Sequence, residues 1–353
     1  MKIGIIAPAN IKYTPYIQNY IQILNDQNVE FRIISWNKDG IDEPVDYAYN
    51  YKIDNTNRKK MMFGYLKFTA WCKRLLNKQK YDKLIILTVA PACFLGRWLI
   101  KNYSDRYILD IRDESPFVFR MPKLFEKVCQ NATEIISSSH RFQNWIPKDI
   151  NLCHNIDMNL LAKYENDNIV HNEKAINSIV YAGMLIEGEI NIDIISRFVN
   201  DDKLEFGFIG KETADTENVR AFAKENQMKN IFFEGMYKKE DIVDIYREKA
   251  TFVNLLRKNT VVNQNALPNK LYDAVLAGIP VIVFEHNYAI VDYVQRYSLG
   301  IVLKEIDNNF NEKLYEEISR FDYDKFYLGR KMFIHEVKQD MKKYDLIVRT
   351  FAE

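Results

Sequence analysis

The sequence predicts an α/β protein built from two parallel-sheet domains, and three observations carry that prediction. Strand-like runs of β-branched residues alternate with helical patterns along most of the chain, which is typical of parallel α/β architecture. A polar stretch at 162–174 interrupts the alternation, which then restarts. The 353 residues are also enough for two domains that each bury a core.

Five strands are predicted before the polar stretch, each from a short apolar run. They span 2–8, 29–36, 83–89, 106–113 and 134–139. A helix after the first strand is predicted from Thr14 as its cap, Pro15 as its first residue and an apolar stripe that starts at Ile17. We assign this N-terminal domain to 1–160.

Six further strands and one last helix are predicted after the polar stretch. The strands span 176–183, 204–210, 230–235, 250–256, 280–284 and 299–303. We assign the second domain to 161–330 and expect the helical segment 331–353 to pack at the junction of the domains. Because ligands bind beyond the carboxyl ends of parallel strands, we expect the function to lie in strand-end loops that face a cleft.

The composition excludes several classes of protein. Lys plus Arg total 49 against 48 for Asp plus Glu, so we expect no nucleic-acid partner. The four cysteines form no C-x-x-C pair, which favours reduced thiols in a cytoplasm over a zinc or disulfide framework. No apolar run reaches the roughly 18 residues that span a bilayer.

The stretch "NALPNKLYDAVLAGIPVIVF" (265–284) predicts a loop, a compact helix and a buried strand. Pro268 ends the loop, Asn269 is the expected N-cap, and Gly278 stops the helix. The face that carries Leu271 is apolar and faces the core.

Folding rules leave two charged residues of this helix unexplained. A helix N-terminus attracts anions, so Lys270 in the first turn predicts a phosphate site. Asp273, one turn in, is able to accept hydrogen bonds from sugar hydroxyls. The alternative is that both residues are ordinary solvated charges of a helix start.

Several motifs resemble those of glycosyltransferases with the GT-B architecture, especially the large family 4. "PNKLYDAVLAGIPVIV" (268–283) resembles the family's P-[NS]-K-[LI]-[FY]-E-x-x-A-x-G-x-P-V signature. "YAGML" (181–185), "CHNID" (153–157) and "LDIRD" (109–113) are similar to shorter motifs in the same order. The tail from Gly278 also resembles bacterial galactofuranosyltransferases. The resemblance implies two Rossmann-like domains, a C-terminal domain that holds a nucleotide sugar, and no metal site.

The resemblance implies roles for two residues and draws attention to three departures. Lys270 takes the place of the signature lysine near the donor diphosphate, and Asp273 that of the second acid of an E-x7-E pair, which binds the ribose. The first acid of that pair falls at Asn265. An arginine and a lysine that relatives often use fall at Met184 and Glu187.

Three other cations could replace the missing phosphate partners, and the alternative for each one taken singly is plain surface charge. They are Lys211, Arg257 and Lys258, which follow predicted strands. The expected donor-binding set is Gly183, Lys211, Arg257, Lys258, Asn265, Pro268, Asn269, Lys270, Leu271 and Asp273.

The expected acceptor side lies in the first domain. Asp113, at a strand end, is the candidate that contacts or deprotonates the acceptor hydroxyl, and with Lys270 it forms the expected catalytic pair. The alternative for Asp113 is an ion pair with Arg112 or Arg141. The other acceptor-side candidates are Ala9, Asn10, Arg112 and His140. "DYD" (322–324) has the letters of a metal motif but lies in a polar turn, so we predict no metal.

A basic segment at 56–80 holds eight Lys or Arg and no acid, interleaved with apolar residues. This pattern predicts a helix that lies on an anionic membrane surface. It is equally typical of a crossover helix with a buried stripe, and the two interpretations are compatible.

These inferences lead to one functional prediction and two alternatives. We expect a cytoplasmic enzyme, peripheral on the inner face of the membrane, that transfers a sugar to a saccharide or lipid-linked acceptor in bacterial surface polysaccharide synthesis. A UDP-sugar is the expected co-substrate, with no cofactor and no metal, in a hexosyltransferase-type reaction. The alternatives are an inactive GT-B homologue that serves as a partner subunit, and a nucleotide-sugar 2-epimerase.

Overall fold

The computed structural model describes residues 1–53, 58–167 and 176–353, and the chain forms two compact units. Unit 1 comprises Met1–His154 and Gln339–Glu353, and unit 2 comprises Asn155–Lys338. The chain therefore passes from unit 1 into unit 2 and returns. Residues 168–174 of the polar stretch, and the first two residues of the basic segment, lie outside the described residues.

Unit 1 contains a sheet in which all seven strands are parallel. They are β1 (Lys2–Ala7), β2 (Glu30–Asn37), β3 (Tyr47–Asn50), β4 (Lys83–Leu87), β5 (Tyr107–Ile111), β6 (Glu134–Ser137) and β7 (Asn151–Leu152), in the order β3-β2-β1-β4-β5-β6-β7. The central strands are buried on both faces, as continuous apolar runs require in parallel sheets. All five predicted strands are present. β3 and β7 were not predicted because both are short edge strands.

Helices cover the faces of the unit 1 sheet. They are α1 (Ile17–Asp26), α2 (Arg58–Gln79), α3 (Val89–Tyr103), α4 (Pro116–Arg120) and α5 (Pro122–Gln130). The prediction that Thr14 caps the first helix is wrong, because α1 begins at Ile17 with no side-chain cap. The Thr14 hydroxyl instead donates to the carbonyl of Ile11, at the end of a short 3-10 helix.

Unit 2 contains a six-stranded parallel sheet, again with every predicted strand present. The strands are β8 (Asn177–Ala182), β9 (Leu204–Ile209), β10 (Ile231–Glu234), β11 (Phe252–Leu255), β12 (Val281–Phe284) and β13 (Gly300–Leu303), in the order β10-β9-β8-β11-β12-β13. The helices are α6 (Met158–Tyr164), α7 (Gly188–Ser196), α8 (Ala214–Glu225), α9 (Ile242–Lys249), α10 (Val261–Asn265), α11 (Asn269–Ala277), α12 (Tyr288–Tyr297) and α13 (Phe310–Ser319). The predicted fold class of two parallel α/β domains is confirmed.

The predicted helix of the 265–284 stretch is α11, with one correction at its start. Pro268 occupies the N-cap position and Asn269 is the first helical residue, so Asn269 does not cap the helix. Gly278 ends it with φ 73°, in the left-handed region that glycine tolerates. The preceding loop contains the short helix α10, which was not predicted.

The last helix, α14 (Tyr323–Phe351), begins earlier than its predicted start and belongs to both units. In unit 2 it supplies Arg330, a buried side chain whose guanidinium donates to the carbonyls of Tyr164, Val275 and Leu276. In unit 1 it supplies Tyr344, whose ring meets the edge of Tyr20 at 5.4 Å between centroids.

The two ends of the chain lie close together in unit 1. The Lys83 ammonium donates to the carbonyl oxygen of Phe351 at 2.7 Å. Lys83 is also the register partner of Ile3, at the start of β1. Both ends therefore lie at the amino-terminal edge of the unit 1 sheet.

Candidate active site

Two glycines end neighbouring strands of unit 2 and allow their backbones to approach. Gly183 follows β8 with φ 124°, and Gly210 follows β9 with φ 148°. A Cβ atom on Gly210 would lie 2.2 Å from the carbonyl oxygen of Gly183, so a side chain does not fit there. A Cβ on Gly183 would lie 3.4 Å from Cε of Lys270 and would enter the space beside that lysine.

Lys270 lies in the first turn of α11 as a partly buried ammonium. Its Nζ is 4.3 Å from the centre of the Tyr181 ring. No carboxylate in the described ranges forms an ion pair with it. Burial, followed by the positive charge of Arg257, lowers the pKa of Lys270 to about 8. A desolvated cation at a helix N-terminus is suited to an anionic ligand.

Asp273 lies one turn further along α11 and is 6% exposed. Both carboxylate oxygens accept hydrogen bonds from Nζ of Lys239, at 2.6 and 2.5 Å. Burial raises the pKa of Asp273, and the charge of Lys239 opposes that rise. Lys239 follows β10, and its position in a strand-end loop was the signal by which the sequence could have revealed it.

Glu187 stands where the resemblance in sequence implies a lysine, and its carboxylate joins two loops. Its carboxylate accepts from the side-chain amide of Asn263 at 2.7 Å and from the backbone N–H of Lys258 at 3.2 Å. These bonds join the loop after β8 to the loop after β11. Glu187 therefore organises the residues around Lys270 without supplying a cation.

The predicted loop cations differ in their availability. The ammonium of Lys258 is paired with Glu189. Arg257 is half-buried and forms no ion pair with any residue that the structure describes, while its carbonyl oxygen contacts Nε2 of His286 at 2.8 Å. Lys211 is exposed after Gly210. Of the three predicted loop cations, Arg257 is therefore the one whose charge acts on the pKa of Lys270.

The other predicted donor residues occupy varied positions around α11. Asn265 closes α10 and donates to the carbonyl of Val261 at 3.0 Å. Leu271 is fully buried and Asn269 is exposed. Met184, after Gly183, is 54% exposed. Leu271 thus contributes packing, and the charged groups described in this neighbourhood include Lys270, Asp273, Lys239, Arg257 and Glu187.

In unit 1, Arg112 is held in a buried ion pair that the sequence did not reveal. Its Nε and one terminal nitrogen donate to the two oxygens of Asp110, at 2.6 and 2.8 Å. Its other terminal nitrogen donates to the carbonyl of Cys153 at 2.8 Å. The hydroxyl of Tyr20 donates to the same carboxylate at 2.7 Å. Arg112 therefore fixes the strand end behind Asp113.

Four other predicted residues of unit 1 lie at the carboxyl edge of the sheet. Asp113 follows β5 and is exposed, and partial burial of its carboxyl group raises its pKa against the charge of Arg112. His140 opens a short 3-10 helix after β6. Ala9 is half-buried after β1, and Asn10 beside it is fully buried. The strand ends thus bring these four residues to one edge.

The described residues contain neither a metal-binding cluster nor a membrane-spanning helix. Within residues 1–53, 58–167 and 176–353, no group of three or more His, Cys, Asp or Glu is placed to hold a metal ion. In the same ranges, no helix combines the length and hydropathy needed to cross a membrane.

A family model matches the N-terminal part of the chain by sequence. Residues 2–139 match the family model described as glycosyl transferase 4-like. A search of curated proteins gives no match.

Comparison with solved structures identifies the fold of the whole chain. Sucrose-phosphate synthase from Thermosynechococcus elongatus is 11% identical with a TM-score of 0.67, covering 99% of this chain and 98% of its own. A glycosyltransferase from Rickettsia africae ESF-5 is 10% identical with a TM-score of 0.67, covering 100% and 98%. A lipopolysaccharide outer core galactosyltransferase is 13% identical with a TM-score of 0.65, covering 100% and 99%.

The family match and the fold together support a glycosyltransferase. The match falls inside unit 1, and the structural likeness spans both units. The N-terminal unit is therefore similar in sequence to glycosyl transferase 4-like proteins, and the whole chain has the two-domain fold of the GT-B glycosyltransferases.

Proposed function

We propose that this protein transfers a sugar from a nucleotide diphosphate donor, a UDP-sugar, to a saccharide or lipid-linked saccharide acceptor in bacterial surface polysaccharide synthesis. The observation that carries the proposal is Lys270, a partly desolvated ammonium without a carboxylate partner among the described residues, beside Gly183 at the start of α11. An ammonium without an ion pair has no evident structural role and is suited to bind an oxyanion.

In this proposal the chemistry of unit 2 is the stabilisation of a leaving diphosphate without a metal ion. The diphosphate oxygens accept from Lys270 and the free N–H groups at the start of α11, with Arg257 adding positive charge. Asp273 accepts hydrogen bonds from the ribose hydroxyls alongside Lys239, which holds the carboxylate in place.

The proposed acceptor chemistry belongs to Asp113. The acceptor oxygen attacks the anomeric carbon, the bond from that carbon to the diphosphate oxygen breaks, and Asp113 takes the hydroxyl proton. A raised pKa makes the Asp113 carboxylate a better base. The ion pair between Asp110 and Arg112 keeps the strand end before Asp113 rigid.

Calorimetry with UDP, GDP, CMP, ADP and their sugar conjugates tests the donor site. We expect UDP and a UDP-sugar to bind. Lys270→Ala should remove a charge-assisted contact worth roughly 1.5 to 3 kcal/mol, which weakens binding about 10-fold to 150-fold. Lys224→Ala, an exposed lysine of α8, is the control and should bind UDP normally. Absence of binding by every nucleotide would overturn the proposal.

Glu187 favours one alternative, an inactive homologue that serves as a partner subunit of another transferase. Where relatives often have a cation, this acid is used to join two loops. The alternative predicts nucleotide binding without transfer, together with co-purification of an active transferase. Transfer measured with the isolated chain would exclude it.

We also propose that α2 rests on an anionic membrane surface on the cytoplasmic side. The helix divides its apolar residues: Phe68, Cys72 and Leu76 are buried in the core, whereas Met62, Phe63 and Leu66 are 43%, 58% and 47% exposed. Exposed lysines flank the second group, namely Lys59, Lys60 and Lys67. An exposed apolar group with a cationic margin is the pattern of interfacial helices.

Sedimentation with lipid vesicles tests this surface. Binding to vesicles that contain phosphatidylglycerol should exceed binding to phosphatidylcholine vesicles and should weaken at high salt. The double variant Met62→Ser/Phe63→Ser should lose most of the binding. Phe119→Ser, at a phenylalanine that is 65% exposed on α4, should keep it. Equal binding by both variants would show that α2 is only a crossover helix.

A further inference from the structure

A second lysine without a carboxylate partner among the described residues lies in unit 1, at the carboxyl end of β2. Lys38 directly follows Asn37, the last residue of that strand, and is half-buried. Its ammonium is 4.4 Å from the centre of the Trp36 ring and 5.2 Å from that of Tyr65. Lys38 thus occupies an aromatic surrounding that shields it from water.

The nearest acid is committed to other groups. Asp39 pairs with the ammonium of Lys12 at 2.6 Å and accepts from the hydroxyl of Tyr13 at 2.7 Å. No carboxylate in the described part of the chain forms an ion pair with Lys38. Burial lowers the pKa of Lys38 to about 8, which reflects this shortage of compensating charge.

The backbone of Lys38 is fixed by a buried amide. The side-chain oxygen of Asn10 accepts from the N–H groups of Lys38 and Asp39, at 2.9 and 3.1 Å. The side-chain nitrogen of Asn10 donates to Asn37 and Glu43, each at 2.9 Å. The loops after β1 and β2 are therefore held together, and Lys38 has a preorganised position.

Tyr65, one of the two rings beside this lysine, belongs to a cluster of three half-buried aromatic rings. Tyr65 stacks on Phe94 with 5.6 Å between centroids and 4° between planes. Phe117 meets the edges of both rings, at 5.9 Å from Tyr65 and 5.0 Å from Phe94. Phe117 lies in α4, four residues after Asp113. Lys38 and these rings are therefore at the same edge of the sheet as the proposed acceptor base.

We propose that Lys38 is an anion-binding residue that holds a phosphate or carboxylate group of the acceptor, with the rings of Tyr65, Phe94 and Phe117 as the surface beside it. An ammonium recognises either oxyanion as a point charge. Aromatic faces contact the C–H groups of a sugar ring or a prenyl chain. The identification of the ligand as the acceptor rests on the proposed function, whereas the anion site itself does not.

NMR of the ¹³Cε and ¹⁵Nζ resonances of Lys38 tests the site in the full-length protein. The probes are glucose 6-phosphate for a saccharide phosphate, glucuronate for a carboxylate, geranyl diphosphate for a lipid carrier, and glucose as the neutral control. We expect at least one anionic probe to shift the Lys38 signals and to raise the pKa of Lys38 relative to the free protein, and glucose to do neither. The probe that acts identifies the source of the anion.

Variants test the same site by affinity. Lys38→Met should weaken binding of the active probe at least tenfold, and Lys38→Arg, which keeps the charge, should retain it. The control is Lys2→Met at the opposite edge of the sheet, because Lys2 also lies over a ring, at 5.1 Å from Tyr81, but pairs with Glu30. Silence of the Lys38 signals with all three anions, or unchanged affinity in Lys38→Met, would overturn the proposal.

A parallel titration with UDP separates this proposal from the donor site. If UDP fails to bind while an anionic probe still shifts Lys38, the proposed function fails and the anion site stands. If UDP binds and none of the three anions affects Lys38, only the anion site is refuted.

Discussion

Lys270 illustrates how a binding residue opposes the stability of the fold. Its pKa is about 8 in the folded chain, against an ordinary value of 10.5 that applies to the unfolded chain, so folding disfavours the charged form of this lysine. Between those values the unfolded chain binds more protons than the folded chain. The free energy of unfolding therefore rises with pH across that window, and below pH 8 the protonated lysine costs stability.

We predict that Lys270→Met stabilises the protein at pH 7 while it weakens UDP binding. The drop in pKa from 10.5 to about 8 corresponds to at most about 3 kcal/mol, and partial exposure reduces this to roughly 1 to 2 kcal/mol. Urea denaturation should show the gain at pH 7 and a loss of most of it at pH 10.5. Lys224→Met should change neither. A destabilised Lys270→Met at pH 7 would mean that the lysine has a structural partner.

The Asp110–Arg112 pair gives the opposite prediction, because both charges are buried and fully engaged. Asp110→Asn should cost roughly 3 to 5 kcal/mol, since it leaves the guanidinium buried without a counter-charge. The double variant Asp110→Asn/Arg112→Met should cost less than the single one. Asp345→Asn, which breaks the exposed pair with Arg349, should cost under about 1 kcal/mol in the same urea titrations.

At this scale the sequence predicted residues whose role follows from a local rule. Lys270 was identified because a helix start attracts anions, and Gly278 because a helix end needs a left-handed residue. Lys239 and Asp110 were missed. The position of Lys239 in a strand-end loop was a signal for the residue, but its partner Asp273 is 34 residues away and no local pattern signals the pair. The sequence also could not predict that Lys38 lacks an ion pair with any described residue, because this depends on Asp39 pairing with Lys12 instead.

At the scale of elements, strands were easier to predict than helix ends. Every strand predicted from a buried apolar run is present, because buried parallel strands are apolar along their whole length. The predicted helix starts were wrong where the capping residue is determined by tertiary structure and not by the local sequence. Thr14 has the right residue type, yet its hydroxyl bonds to the preceding turn, and Pro268 takes the cap position that Asn269 was expected to fill.

The turn that ends α11 is predicted to be a local and measurable source of stability. Gly278→Ala should cost about 1 kcal/mol, because φ 73° is unfavourable for a residue with a Cβ atom. Gly235→Ala is the matched control, since a Cβ there meets nothing within 4 Å and φ is not positive, and it should be neutral. Urea denaturation measures both, and UDP affinity should stay unchanged. Equal losses of unfolding free energy in the two variants would show that the positive φ at Gly278 is not the cause of the effect.

At the scale of the whole molecule, each unit has its own core. One apolar cluster includes Trp36, Ile86 and Phe125 in unit 1, and a second includes Phe198 and Phe252 in unit 2. Separate cores predict two unfolding transitions.

We predict that Tyr344→Ala lowers only the transition of unit 1. The side chain is 1% exposed against Tyr20, so its loss should cost about 3 kcal/mol. UDP, proposed to bind unit 2, should raise the other transition by mass action. Differential scanning calorimetry with and without UDP assigns the two. A single transition that both changes move together would contradict independent units.

The return of the chain into unit 1 has a consequence for its synthesis. Residues 1–154 leave the ribosome before unit 2, yet residues 339–353 of the same unit, which carry Tyr344 and Val348, follow only after the whole of unit 2 has been translated. Of the two units, unit 1 therefore begins before unit 2 and is completed after it, against the usual order of co-translational folding. Since Ile3 and Phe351 both lie beside Lys83, a circular permutant that links residue 353 to residue 1 and opens the chain at the boundary of unit 2 would make each unit continuous and restore that order.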